Sequence, residues 1–158
     1  MKRTYPLFIL LLFITTDLFA QNNSKITFTH NDYILIWHEG GMIRGTRVHG
    51  TIYCLTDSGL TCDTTHPRGF RPQDIGGLLP NVPVSASVYA KVKDMPYAIT
   101  PEMLEKPESS YGKQEVDGGR SHVLGSINGK KYYWNFTSRI DLFPPGVQKF
   151  ASYVYVCY

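Results

Sequence analysis

Period-two alternation of apolar and polar residues is the dominant pattern along this chain. Residues 84–93 alternate with few exceptions and place Val84, Ala86, Val88, Ala90 and Val92 on one face, which predicts a half-buried strand. A second strand is expected over 47–56, with Val48, Ile52 and Cys54 sharing a face. Gly50 interrupts it, as at a bulge or a close backbone approach. The sharpest local signal is a hairpin over 122–137, in which Asn128-Gly129 supplies the positive φ angles of a two-residue type I′ turn. Within its second strand Tyr132, Trp134 and Phe136 share one face, expected to be core. Tyr133 points the other way with Lys131 and Asn135. A last strand is expected over 149–158, with Phe150, Val154 and Val156 on one side and Tyr153 and Tyr155 on the other. Further strands are expected near 26–29, 33–37 and 139–143. Thr100-Pro101 opens one short helix that stops before Pro107. Short strands, long proline- and glycine-bearing connections over 57–83 and 94–120, and little helix predict an all-β chain. The expected fold is a seven- to eight-stranded β-sandwich with at most one short helix.

The first twenty residues carry a different pattern. Lys2 and Arg3 precede the apolar run Leu7-Phe8-Ile9-Leu10-Leu11-Leu12-Phe13-Ile14, and a more polar stretch ends at Ala20. This is the layout of a secretory signal peptide, with an apolar core too short to span a bilayer. The expected organisation is a signal peptide over 1–20, an N-terminal segment with one or two strands over 21–46, and the β domain over 47–158. The destination is extracellular, or periplasmic in a bacterium. Gln21 stands where a bacterial lipoprotein would carry its acylated cysteine, and no later apolar run is long enough for stable membrane insertion. Sixteen basic against thirteen acidic residues, net +3, leave no electrostatic footprint for nucleic acid.

Export changes the reading of the three cysteines, Cys54, Cys62 and Cys157, because an oxidising compartment permits disulfides. Three cannot pair completely within one chain. Loop entropy favours closing 54 to 157 over closing 54 to 62, about 4.7 against about 2.6 kcal/mol, but geometry decides which forms.

Three local patterns resemble the transthyretin-like, prealbumin-type sandwich family that includes carboxypeptidase regulatory-like domains. Val48-His49-Gly50-Thr51-Ile52-Tyr53 is similar to its opening strand, and Pro83-Val84-Ser85-Ala86-Ser87-Val88-Tyr89 to its second. Asn128-Gly129 with the aromatic run to Phe136, then Pro144-Pro145-Gly146, resembles its turn, aromatic strand and proline-glycine corner. The resemblance spans 48–158, with longer connections than the family module. It implies that the opening and final strands lie side by side in parallel, and hence that Cys54 pairs with Cys157. The family's enzymatic branch ends in a Tyr-Arg-Gly-Ser signature, whereas this chain ends Tyr155-Val156-Cys157-Tyr158.

Candidate chemistry is sparse. His30, His38, His49, His66 and His122 form no metal-ligand spacing, and His38-Glu39-Gly40-Gly41 lacks a second ligand. No nucleophile elbow or phosphate-cradling glycine loop is present. His49 and His122 would converge if their strands met across a sheet, with Asp63 or Asp117 nearby. Without that convergence no metal, cofactor or catalytic residue is assigned. Tyr133, Tyr153 and Tyr155 form the candidate binding surface, since tyrosine offers large contact area at low entropic cost. Asn22 and Asn135 stand in glycosylation acceptor patterns. The expected function is a secreted, non-enzymatic binding module for an extracellular protein, glycan or small ligand. The alternatives are a secreted hydrolase or metal-dependent enzyme using clustered histidines, and a small β-barrel carrier or outer-membrane barrel.

Overall fold

A computed structural model describes residues 26–43, 46–63, 80–113, 119–137 and 139–157, with 41–43 and 46–49 described by their backbone. The expected signal peptide, Asn22, His66 and Asp117 lie outside the described residues. Among the described residues eight strands form one mixed sheet: β1 (Tyr33–Ile43), β2 (Thr46–His49), β3 (Ile52–Leu55), β4 (Leu60–Asp63), β5 (Val82–Pro83), β6 (Glu108–Tyr111), β7 (Arg120–Ile127) and β8 (Lys130–Thr137). Seven follow one another in the order β5-β4-β3-β1-β7-β8-β6, and β2 pairs with β1 off that path. All pairings are antiparallel except β6 with β8. Among the described residues three α-helices accompany the sheet: α1 (Ala86–Val92), α2 (Pro101–Glu105) and α3 (Pro145–Val156).

The chain is mostly β, as the alternation predicts, and the sheet is open. Among the described residues the layer over one face is helical, and no second sheet lies opposite the first. Two expected strands are helices. Residues 84–93 hold α1, because Val88 or Tyr89 with Val92 and Met95 also satisfy helical spacing, and the alanines favour helix. Residues 149–157 lie in or just after α3. Val147, Phe150, Ala151 and Val154 are fully buried at i, i+3, i+4 and i+7. Pro145 sits in the first turn of that helix, where its missing N–H costs nothing. The side-by-side strands implied by the family resemblance are therefore absent. Residues 139–143 form a 3₁₀ turn, Ile140–Leu142, in place of a strand, and 26–29 are not in a strand.

Other expectations hold. The hairpin pairs β7 with β8 across Asn128 (φ 51°) and Gly129 (φ 76°). Thr100 caps α2, its hydroxyl accepting from the Met103 N–H. Gly50 divides the expected 47–56 strand into β2 and β3, and its N–H donates to the His38 carbonyl at 2.9 Å. Asp32 ties the hairpin turn to the N-terminal segment. Its carboxylate accepts from the Thr29 N–H (2.7 Å), the Thr29 hydroxyl (2.8 Å) and the Asn128 N–H (2.7 Å). Burial acts to raise its pKa, but these bonds together outweigh it and hold the group below the usual carboxylate value.

The helix-side core gathers Ile34, Ile36, Val123, Trp134 and Phe136 of the sheet against Val92, Met95, Met103, Val147, Phe150 and Val154. Trp134 is fully buried, on the face expected to be core. A smaller cluster of Leu35, Trp37, Ile52 and Cys54 is buried on the opposite face, so β1 is apolar on both sides.

Two glycines at positive φ separate backbone strain from steric strain. A Cβ on Gly129 meets nothing within 4 Å, whereas one on Gly112 (φ 88°) would lie 2.0 Å from Thr137 Oγ1 and 2.8 Å from Phe143 Cε1. Gly129→Ala should therefore cost about 1 kcal/mol of folding stability and Gly112→Ala about 3 kcal/mol. Urea midpoints at unchanged m-value measure both, and equal losses would refute the steric account.

Candidate functional site

Strand alternation decides which side chains meet on the face away from the helices. There β1 presents Tyr33, Leu35, Trp37 and Glu39, β7 presents His122 and Leu124, and β8 presents Lys131, Tyr133 and Asn135. The registers put Trp37, His122 and Asn135 in one cross-strand row and Leu35, Leu124 and Tyr133 in the next. Cross-strand neighbours on one face lie close enough for direct side-chain contact. The His122 ring stacks on Trp37 with centroids 5.2 Å apart and planes 13° apart, and Tyr133 lies 6.1 Å from His122 and 6.3 Å from Trp37.

Hydrogen bonds hold this imidazole from both sides. Its Nδ1 lies 2.5 Å from Asn135 Oδ1 and 2.9 Å from the Tyr133 hydroxyl. Asn135 donates its own Nδ2–H to Ser110 Oγ at 3.5 Å, which turns its carbonyl oxygen toward the ring. Asn135 Oδ1 and the Tyr133 hydroxyl thus share the Nδ1 side of the ring. On the other side Nε2 lies 3.2 Å from Glu39 Oε2. Burial depresses the His122 pKa, and the bonds to Asn135 and Glu39 offset that only in part, so the group titrates below its ordinary value. The arrangement holds an imidazole rigidly across two strands, with Nε2 against a carboxylate.

The second buried histidine belongs to the helix side. His38 Nδ1 and Ser121 Oγ are 2.7 Å apart, and both residues are buried. Burial is the main cause that brings the His38 pKa down to about 4, helped by the nearby charge of His122; a hydrogen bond to the Cys157 backbone carbonyl opposes them. Beside it the Tyr155 hydroxyl donates to the Thr137 carbonyl and fastens the end of α3 to the sheet.

Tyr133 stands in the His122 cluster. Tyr153 and Tyr155 lie on α3, half-buried against the helix-side core, so the structure does not bring the three tyrosines onto one surface. Cys54 belongs to the cluster on the far face and Cys157 to the helix-side core. The sheet separates them and all three cysteines are free thiols, which overturns the Cys54–Cys157 disulfide. Burial pushes the Cys54 thiol up to about 11 and the Cys157 thiol up to about 12. His30 is exposed ahead of β1. Asp63 stands opposite Ile52, and the Cα of His49 stands opposite that of Glu39. Among the described residues no three His, Cys, Asp or Glu side chains form a metal-holding group, and no helix is long and apolar enough to cross a membrane.

Glu39, Trp37 and the orienting role of Asn135 were not legible as site residues. Alternation along 33–39 puts Trp37 and Glu39 on one face, but only the long-range register of β1 with β7 puts that face beside His122. Comparison with protein-family models, curated proteins and solved structures finds no match to this chain.

Proposed function

We propose that this chain is an exported, non-enzymatic binding protein that recognises an extracellular protein through the sheet face opposite the helices. The supporting observation is the strip formed by Tyr33, Leu124, Lys131, Tyr133 and Asn135. Lys131 is exposed and the other four are half-buried. Lys131 donates to the Tyr33 hydroxyl and lies 4.4 Å from the centre of its ring. Aromatic rings, an aliphatic side chain, a cation and an amide on rigid strands are the composition of a recognition surface. The strip is continuous across β1, β7 and β8, so it binds without ordering a loop.

The test is affinity capture from extracellular medium with the full chain, followed by direct titration of the recovered protein. Tyr133→Ser combined with Lys131→Glu should weaken binding at least tenfold while the circular dichroism spectrum stays in place. Unchanged affinity in that variant overturns the assignment of the strip. Binding to a glycan panel with no protein captured overturns the partner class.

A further inference from the structure

We propose that the protein partner presents an acidic extended segment to the strip, with a carboxylate docked on Lys131. The inference rests on the strip being the binding surface and adds the chemistry of what it holds. Three observations carry it. First, Lys131 is held in place as a cation ready to be met. The registers put Tyr33, Ser126 and Lys131 in one row across β1, β7 and β8. Strands two apart in a sheet stand about 9–10 Å from each other. The Lys131 stem therefore crosses over buried Ser126 and brings its ammonium to the Tyr33 ring and hydroxyl. One N–H is spent on that hydroxyl, and two remain to donate. Second, no carboxylate among the described residues neutralises it. The ion pairs there join Lys106 to Glu102, Arg139 to Asp141 and His122 to Glu39. Asp32, at the same end of the sheet, is buried and spent on Thr29 and Asn128. Third, exposed Lys130 and His30 stand at that end too, where β1 begins and the hairpin turns. The surface there carries basic side chains, with its carboxylate withdrawn.

Apolar contact lies one step along the same face. Leu124 and Tyr133 form the next cross-strand row after Ser126 and Lys131, and both are half-buried. Same-face positions of an extended chain are about 6.8 Å apart. A segment laid along β8 thus sets an acidic residue over Lys131 and an apolar residue, two positions away, over Tyr133. A polysulfated glycan would match the cation but has no side chain to set against Leu124. Exposed ion pairs contribute little when two long side chains must both be ordered. Here Tyr33 already holds the ammonium, so less ordering remains at the moment of binding. A charge so placed acts mainly on the association rate and on its dependence on salt.

The experiment is selection of random peptides displayed on phage against the immobilised full chain, followed by titration of synthetic peptides of the enriched sequence. Asp or Glu two positions from an apolar residue should be enriched. The association rate should fall as salt rises from about 0.05 to about 0.5 M. Lys131→Met keeps the stem and removes the charge, so it should lower affinity about fivefold and flatten that salt dependence. Lys131→Arg should retain both, and Lys149→Met on α3 should change neither. Neutral or basic enriched peptides overturn the acidic partner, as does binding that needs Tyr133 and ignores Lys131→Met; either result leaves the strip standing. Binding that ignores both Tyr133→Ser and Lys131→Met overturns the strip itself. Heparin bound with no peptide enriched overturns the partner class. No enrichment over the Tyr133→Ser, Lys131→Glu double variant overturns the proposal.

Discussion

Phe150→Ala should lower folding stability by about 4 kcal/mol, whereas Val156→Asp, six residues on, should change it by less than about 0.5 kcal/mol. Phe150 is fully buried, edge-on to Trp134 at 5.5 Å and tilted against Phe136 at 5.8 Å. Removing its ring leaves a cavity walled by two other aromatic rings, which relax poorly. Domains of this size are stable by only about 5–15 kcal/mol, so the variant should sit near the edge of folding at room temperature. Val156 is 42% exposed on α3 and has nothing comparable to lose. The pair of substitutions also discriminates between two secondary structures. In a strand, Phe150, Val154 and Val156 share a face, and Val156→Asp would cost as much as Val154→Asp. In a helix Val154→Asp is severe and Val156→Asp mild. Chemical unfolding of the three variants decides the matter, and a severe Val156→Asp would be incompatible with α3.

Acidification from pH 6.5 to pH 4 should remove about 3 kcal/mol of stability through His38 alone. Its folded-state pKa of about 4 lies below the ordinary value of 6.5. In that window the unfolded chain takes up a proton that the folded chain refuses. The contribution is therefore complete above pH 6.5, shrinks as pH falls, and stops changing once both states are protonated below pH 4. His122, also depressed, pushes in the same direction, while the depressed Asp32 acts only below its ordinary 3.8. Urea midpoints at pH 7.5, 5.5 and 4.0 measure the slope. His38→Asn should lower stability at pH 7.5 and flatten the dependence. A variant that keeps the wild-type slope would place the titration elsewhere.

The hairpin, the short α2 helix and β1 were readable because their signals are local. Asn128-Gly129 dictates its turn, Thr100-Pro101 its cap, and the Ile34-Leu35-Ile36-Trp37 run its burial. The segments 84–93 and 149–158 misled for one physical reason. Valines, tyrosines and alanines spaced at both two and three-to-four residues satisfy a strand and a helix alike, and only packing against the sheet chooses. At 145–157 the helical stripe was visible in Val147, Phe150, Ala151 and Val154, with Cys157 continuing it. Reading Phe150, Val154 and Val156 alone hid it. The disulfide followed from a neighbouring pair of strands that does not exist. The histidine site is half legible in the sequence, through His122. Glu39, which faces His122 Nε2, becomes visible only through the pairing of distant strands.

Distance along the chain has a consequence for how the molecule assembles. His38 and Ser121, partners across β1 and β7, are separated by 83 positions, and Asp32 reaches Asn128 over 96. During synthesis β1 emerges long before β7, which pairs with it from Tyr33 to Glu39. Its Ile-Leu-Ile-Trp run must wait with both faces apolar while β3 and β4 form nearby. Such delayed, non-local pairing is slow and leaves apolar strand edges open to other chains. The central strand of the finished sheet is thus the most vulnerable segment of the nascent one. Substitutions that weaken the β7–β8 hairpin should show first as poor yield, before any loss in the folded protein is measurable.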